Sequence, residues 1–420
     1  MPALAQELID AIIDEVGAKK WADPKDYATL TRCSLTARAF VARSQRCLFQ
    51  SLTLNTRTAN HLSSALAGSP HLASYVCDLH LDLPFANTSV HNPLALLLPH
   101  LTRVRRLVKS SEFDERWHWD EFPANFRSAL VALFSLPSLR CVGLHDCMGV
   151  PSSIIRHALL SCEQVYLGSI EIEPEDAVFP RAEDSVVSSV PLEYLALAYS
   201  PKTDVALHAL ILGDEVAQRL EGVRELRFDP GGALDGLEAI ALKCSDSLEH
   251  MIIDFGSEVV PQSRQCDANF NTSVCEELVE SGDEPLVLPH IPGLRALTLK
   301  GSLDKLQISD AGFTLLASLP TCAPNIEDLT ILLSGETSGD HELSPRADTD
   351  QALMSLAQLQ EVQFDTSSSE GNTYEFESTM QHMLPLASAA GFLTFTYTYD
   401  CIWSQWFHPM AFHPMVVFSN

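Results

Sequence analysis

Leu192-Glu193-Tyr194-Leu195-Ala196-Leu197 sets the pattern that decides the fold of this chain: apolar, two residues, apolar, one residue, apolar. The pattern returns as Leu248/Met251/Ile253, Leu294/Leu297/Leu299, Ile326/Leu329/Ile331 and Leu359/Val362/Phe364, with a last copy at Phe392/Phe395/Tyr397. Upstream it runs through Phe49/Leu52/Leu54, Val76/Leu79/Leu81, Leu139/Val142/Leu144, Cys162/Val165/Leu167 and Val223/Leu226/Phe228. A weaker copy at Val104/Leu107 is broken at its third position by Lys109. Most starts lie about 23 to 35 residues apart, a period typical of repeat architectures. The last two apolar positions are alternate residues, so they point to one face of a short strand.

Between these strands lie amphipathic stretches, which predict helices over Asn125 to Leu136, Ser152 to Leu160, Asp204 to Leu212, Leu234 to Leu242, Ala311 to Leu319 and Asp350 to Leu356. Strand–helix alternation at this period implies an α/β fold with a curved parallel sheet. The body, residues 51–420, resembles the irregular leucine-rich-repeat arrays that follow many F-box domains. It departs from the strict family pattern in mostly lacking the Asn or Cys that should follow the strand. The resemblance implies a solenoid whose concave face is lined by the residues between the apolar positions. These are Asp78, His80 and Asp82; Gln164 and Tyr166; Glu225, Arg227 and Asp229; His250 and Asp254; Lys300; Asp328; Glu361, Gln363 and Asp365; and Thr394, Thr396 and Thr398.

The first fifty residues differ. Leu4, Leu8, Ile9, Ile12, Ile13 and Val16 recur at helical spacing, with Glu7, Asp10, Asp14 and Glu15 on other faces. Gly17 offers a helix stop, and Asp23-Pro24 a cap and first-turn pair for the next helix. Leu30, Cys33, Leu35 and Phe40 form a second apolar stripe, followed by Arg43-Ser44-Gln45-Arg46. This segment resembles an F-box-like domain of the fungal type, with Leu4-Ala5 where the family usually shows Leu-Pro. The resemblance implies three short helices that bind a Skp-type adaptor, and through it a cullin ubiquitin ligase. It implies adaptor contacts from Leu8, Ile9, Ile12, Ile13, Leu30, Cys33, Leu35 and Phe40, some of which must instead pack the domain. Read from the pattern alone, the same helices could be an N-terminal cap on the array.

Charge limits the partners. The formal net charge is −28, and it is unevenly placed: residues 1–60 are slightly basic, while the remainder carries 19 basic against 49 acidic side chains. Such a body lacks the phosphate-neutralising surface of a nucleic-acid binder and is unsuited to anionic membranes. A basic protein target is the better electrostatic match. The eleven cysteines are odd in number and lack CxxC spacing, which points to reduced thiols and a cytoplasmic or nuclear location. No run of 18 apolar residues occurs, so no membrane span is expected.

Three insertions interrupt the repeats. Residues 109–126 mix Phe113, Trp117, Trp119, Phe122 and Phe126 with five acids. Trp117 and Trp119 are target-contact candidates there, as aromatics favour interface hot spots, although aromatics folded back over the sheet edge are the favoured reading. Residues 254–290 are an acidic excursion, and 334–350 are rich in Ser, Gly and Asp. Asp229, Asp254, Glu361 and Asp365 complete the target-binding candidates on the expected concave face. The tail repeats Phe-His-Pro-Met at 407–410 and 412–415. Its prolines forbid a regular helix, so capping of the last repeat fits better than a metal site.

Enzyme motifs are missing: no HExxH, GxSxG, GxxxxGK[ST] or GxGxxG occurs. His145-Asp146-Cys147 could place a thiol beside an imidazole, and Arg103, Arg105, Arg106 and Lys109 form a basic cluster expected to pair with nearby acids. No cofactor or metal is implied. The expectation is therefore a non-enzymatic substrate-recognition adaptor of a Skp–cullin–F-box-type ligase, with a non-catalytic interaction scaffold as the alternative.

Overall fold

The computed structural model describes residues 5–19, 24–55, 58–82, 88–109, 117–173, 190–198, 204–229, 235–255, 288–302, 310–334, 346–367 and 373–397. Two compact units meet at Pro191/Leu192 along the chain. Both are α/β, with parallel strands joined through helices.

The first unit opens with α1 (Gln6–Lys19), α2 (Pro24–Thr36) and α3 (Arg38–Phe49). Pro24 takes the first helical position, where its missing N–H costs nothing. Gly17 does not stop α1, which continues to Lys19. The glycine instead permits close approach to α3, since a Cβ there would lie 2.9 Å from the Cys47 Sγ. Ile9, Ile13, Leu30 and Cys47 form the buried centre of the three helices, with Val16, Phe40 and Leu48 packed against it. The Arg43 guanidinium clamps the Asp14 carboxylate with two hydrogen bonds. Gln6 Nε2 donates to the Ala39 carbonyl at 2.9 Å, tying α1 to the start of α3.

Strands and helices then alternate: β1 (Ser51–Asn55), α4 (Ala59–Gly68), β2 (Asp78–Asp82), α5 (Thr88–Leu97), β3 (Arg106–Lys109), β4 (Trp117–His118), α6 (Ala124–Phe134), β5 (Cys141–Pro151), α7 (Ser152–Ser161) and β6 (Gln164–Glu173). The sheet order is β1-β2-β3-β5-β6, and β4 pairs with β5. A reciprocal box turns the chain out of β1. Thr58 N–H donates to Asn55 Oδ1 at 2.9 Å, and Asn55 N–H donates to Thr58 Oγ1 at 3.0 Å.

Register aligns the apolar positions read from the sequence. Leu52, Leu79, Leu107, Val142 and Val165 are successive neighbours across the first sheet, as are Leu54, Leu81, Lys109, Leu144 and Leu167. Helix α6 covers this face with Phe126, Ala129, Leu130, Leu133 and Phe134, the i, i+3, i+4, i+7, i+8 stripe of a core-facing helix. Each fully buried Leu in such a column contributes about 1.5–3 kcal/mol.

The second unit holds β7 (Tyr194–Ala198), α8 (Asp204–Ile211), α9 (Asp214–Leu220), β8 (Glu225–Asp229), α10 (Asp235–Cys244), β9 (His250–Asp254), β10 (Ala296–Ser302), α11 (Asp310–Cys322) and β11 (Asp328–Ser334). It ends with α12 (Ala347–Ser355), β12 (Glu361–Ser367), α13 (Thr373–Met383), α14 (Pro385–Ala389) and β13 (Leu393–Tyr397). Strands β7 to β13 are neighbours in chain order, all parallel. Their inner columns are Leu195-Leu226-Met251-Leu297-Leu329-Val362-Leu393 and Leu197-Phe228-Ile253-Leu299-Ile331-Phe364-Phe395. The last copy is shifted from its sequence reading: Leu393 and Phe395 take the places expected of Phe395 and Tyr397. Phe395 decides this by stacking on Phe364 at 5.6 Å and meeting Phe376 edge-on at 6.1 Å. Strands β9 and β10 pair directly, while most of the acidic excursion (256–287) lies outside the described residues, as do 335–345 and the Phe-His-Pro-Met tail.

His80, in the middle of β2, supplies a test of this packing. Burial first, and the neighbouring Arg106 second, push its imidazole down to about 4. The folded chain then keeps His80 neutral between pH 6.5 and 4, where the unfolded chain takes up a proton. Stability from this group is complete above pH 6.5 and falls as the pH drops toward 4. The loss is expected to reach about 2 kcal/mol between pH 7 and pH 5. Denaturant unfolding should show this drop in the wild type and a flatter profile in His80→Gln; identical profiles would refute it.

Candidate interaction surfaces

On α1 the two halves of the apolar sequence part company. Ile9 and Ile13 face the helical core at 8% and 2% exposure, and Leu30 of α2 is fully buried with them. Leu8 and Ile12, one turn apart, are 55% and 57% exposed, and Leu35 near the end of α2 is 82% exposed. Cys33 and Phe40 are half-buried. Residues i and i+4 sit one above the other on a helix, so Leu8 and Ile12 make a continuous apolar strip, with exposed Ala5, Ala11 and Glu15 beside it. Of the eight candidates for adaptor contact, Ile9, Ile13 and Leu30 are used by the core. Leu8, Ile12 and Leu35 remain on the surface.

The aromatic insertion resolves differently from its reading as a contact site. Trp117 and Trp119 are buried at 4% and 7% exposure. Both meet Phe122 edge-on, at 5.1 and 6.5 Å between ring centroids, and Phe122 meets Phe126 at 5.3 Å. His91 of α5 stacks on Phe126 at 5.0 Å. The rings fold inward because β4 pairs with β5 at Trp117 and Cys147, while Asp120 and Glu121 stay in solvent. As targets for a partner, the two tryptophans are excluded by their burial.

Lys109 is the residue whose role the sequence concealed. It is fully buried in an apolar column, and among the described residues it makes no ion pair of the kind expected of the basic cluster. Its Nζ donates to the carbonyls of His145 (2.6 Å) and Asp146 (3.1 Å) and lies 5.1 Å from the centre of the Trp117 ring. Burial lowers its basicity, opposed by Cys147, Asp146 and Asp82. The acceptors exist because β5 departs from regular geometry here: Asp146 has φ 52°, Gly149 φ 65°, and the register with β6 shifts between Cys147 and Val150.

The same turn bears on thiol chemistry. The Cys147 Sγ donates to the His145 carbonyl at 3.4 Å, not to its ring, and burial pushes the thiol up to about 11. The His145 Nδ1 lies 2.6 Å from the Asp146 carboxylate, and its ring covers Gly168, where a Cβ would fall 2.4 Å from Cδ2. A nucleophilic cysteine needs an imidazole that draws off its proton; this pair does not supply one.

The outer row of the second unit carries the remaining candidates. Asp229 is half-buried, Asp254 is buried, and Glu361 is exposed. Asp254 lies 3.8 Å from the Arg227 guanidinium, and both side chains are nearly covered. Asp365 holds the β12 position beside Leu332 and Thr396. Glu225, Asp328 and Glu361 line the strand starts together with exposed His250. Burial raises the Glu225 carboxyl, against the pull of His250 and Arg227. Among the described residues no three His, Cys, Asp or Glu side chains gather as metal ligands, and no helix is long and apolar enough to cross a membrane. No protein-family model matches the chain, and no curated protein sequence matches it.

If Trp117 packs the interior, its truncation must be costly. Trp117→Ala is expected to destabilise the fold by about 3–5 kcal/mol, read as a lower denaturation midpoint. An unchanged midpoint would mean that the ring contributes nothing to the core.

Proposed function

We propose that the chain is a substrate-recognition adaptor of a Skp–cullin–F-box-type ubiquitin ligase. Helices α1 to α3 would act as an F-box-like domain that binds a Skp-type adaptor, and the strand–helix units as an irregular leucine-rich-repeat-like array that holds a protein target. One observation supports this most: Leu8, Ile12 and Leu35 stay exposed while neighbouring apolar residues of the same helices fill a small core. Apolar side chains left in solvent on so small a unit suit a partner that buries them. Catalysis would be by proximity, with a charged conjugating enzyme brought near a target lysine. The acidic outer row and the net charge of −28 favour a basic target segment.

A second reading, a scaffold capped by these helices, draws on one contact. Helix α3 packs on β1 and on the turn at 70–75, where His71 Nε2 lies 3.4 Å from Gln45 Oε1.

Purified full-length chain with a purified Skp-type adaptor separates the two. Each exposed side chain buried at an interface is worth about 1.5 kcal/mol or more, so Leu8→Asp with Ile12→Asp should weaken binding about a hundredfold or more. The folded stability of that double variant should stay within about 0.5 kcal/mol of wild type, as expected for surface changes. Ile13→Asp should instead disrupt the helical core. Adaptor binding that survives the double variant would sink this interface. No binding by the folded wild type would leave the scaffold.

A further inference from the structure

The edge where the chain enters its strands carries a charge pattern, and the first unit breaks it. In the second unit the entry residues of successive strands are Glu193, Arg224, Glu249, Arg295 and Glu327, each joined to the next by a backbone hydrogen bond. Their signs alternate, so each charge stands beside an opposite one, and the Arg295 guanidinium pairs with the Glu327 carboxylate. In the first unit the same positions run Gln50, Cys77, Arg105, Arg140 and Glu163. Arg105 and Arg140 are like-charged neighbours, joined where the Arg140 N–H donates to the Arg105 carbonyl at 2.7 Å. The Arg140 Nε turns to Glu163, 3.2 Å from its carboxylate. Arg105 has Cys77 on its other side, and so no acid at either neighbouring entry. Arg103 adds to the charge: Val104 is fully buried, while Arg103 and Arg105 on either side of it are exposed. Among the described residues neither of the two makes an ion pair. Arg106 stands apart, in register between Asp78 and Cys141.

We propose that Arg103, Arg105 and Arg140 form a docking surface for a short, extended, acidic segment of a partner protein, with carboxylates at alternate positions. Neighbouring strand entries lie about 4.8 Å apart, and alternate residues of an extended chain share a face at about 6.8 Å. A segment of that kind brings one carboxylate to Arg105 and the next to Arg103, while Arg140 is shared between Glu163 and the incoming chain. Each guanidinium offers a carboxylate two parallel N–H donors.

The net charge of −28 selects the occupant. Three arginines answer only about two or three phosphates, and the acidic remainder of the chain repels a long polyanion, so nucleic acid does not fit. A short segment escapes that repulsion, because charges beyond about 8 Å are screened at physiological salt. The inference is independent of the adaptor reading: this surface belongs to the first unit, whereas the acidic row suited to a basic target belongs to the second.

The probe is a fluorophore-labelled peptide Glu-Thr-Glu-Thr-Glu, titrated with full-length chain at low salt and read by anisotropy. An exposed ion pair contributes up to about fivefold in affinity, so the double variant Arg103→Gln with Arg105→Gln should bind about tenfold more weakly. Both side chains are exposed, so its denaturation midpoint should match that of the wild type. Arg224→Gln with Arg295→Gln changes the net charge equally and should leave binding unchanged. The isosteric peptide Gln-Thr-Gln-Thr-Gln should not bind, and inorganic phosphate at the peptide's concentration should not displace the acidic peptide. The proposal is overturned by equal binding in the Arg103/Arg105 variant, by equal loss in the Arg224/Arg295 variant, by displacement with phosphate, or by no anisotropy change with folded wild type up to about 0.5 mM.

Discussion

The strand–helix part of both units hangs on two apolar columns per sheet that must stay dry. Parallel strands joined by covering helices leave no solvated inner face, so each strand has to offer alternate residues that tolerate complete burial. In the second unit Leu226 and Phe228, Met251 and Ile253, and Leu297 and Leu299 are each at most 1% exposed. A slip of one residue would turn Arg227 or Asp254 toward the helices and send two large apolar side chains to the other face. The columns therefore fix register, and register fixes where every outer-row side chain stands. The entry to each strand is fixed in the same way. Arg224, Glu249, Arg295, Glu327 and Gln360 each donate a backbone N–H to the equivalent carbonyl of the preceding strand, at 2.8 to 2.9 Å.

This constraint explains what could be read from the chain. Spacing alone located the strands because only two positions per repeat matter and both are apolar. Helices such as Ser152–Ser161 and Asp204–Ile211 came out within a residue or two of their expected ends. Local pattern failed where two arrangements satisfy it equally. Leu393, Phe395 and Tyr397 alternate on one face, so β13 has two acceptable readings, and only Phe364 and Phe376 choose between them. Trp117 and Trp119 stand among acids, and composition could not say that Asp120 and Glu121 turn outward while the two rings turn in. On α1, Leu8 and Ile9 are equal in hydrophobicity; which one faces the core depends on where α3 lies.

Lys109 shows how a column absorbs a violation. A buried ammonium without acceptors would be prohibitive. Here the left-handed turn at Asp146 and the break in β5 pairing aim two carbonyls at the missing leucine position. An ammonium has three donors and a long apolar stem; the stem occupies the leucine place, two donors meet the carbonyls and the Trp117 face lies nearby. The irregular strand and the irregular residue complete each other. In sequence the clue was present, as a lone charge at a position where every neighbouring strand carries an apolar residue, but its acceptors lie 36 and 37 positions away.

The N-terminal helices sit at the opposite extreme from these columns. Their centre is Ile9, Ile13, Leu30 and Cys47, a small burial to hold three helices against the loss of chain entropy. The Arg43–Asp14 pair adds little, because both groups remain partly in solvent and exposed pairs contribute about 0–1 kcal/mol. Had Leu8 and Ile12 been turned inward, the core would have gained about 1.5–3 kcal/mol from each. They are outside because α1 has one face toward α2 and α3, and Ile9, Ile13 and Val16 already fill it. A ligand that binds only the folded form stabilises it by mass action. A partner covering the Leu8–Ile12 strip would therefore stabilise a unit whose own buried centre is small.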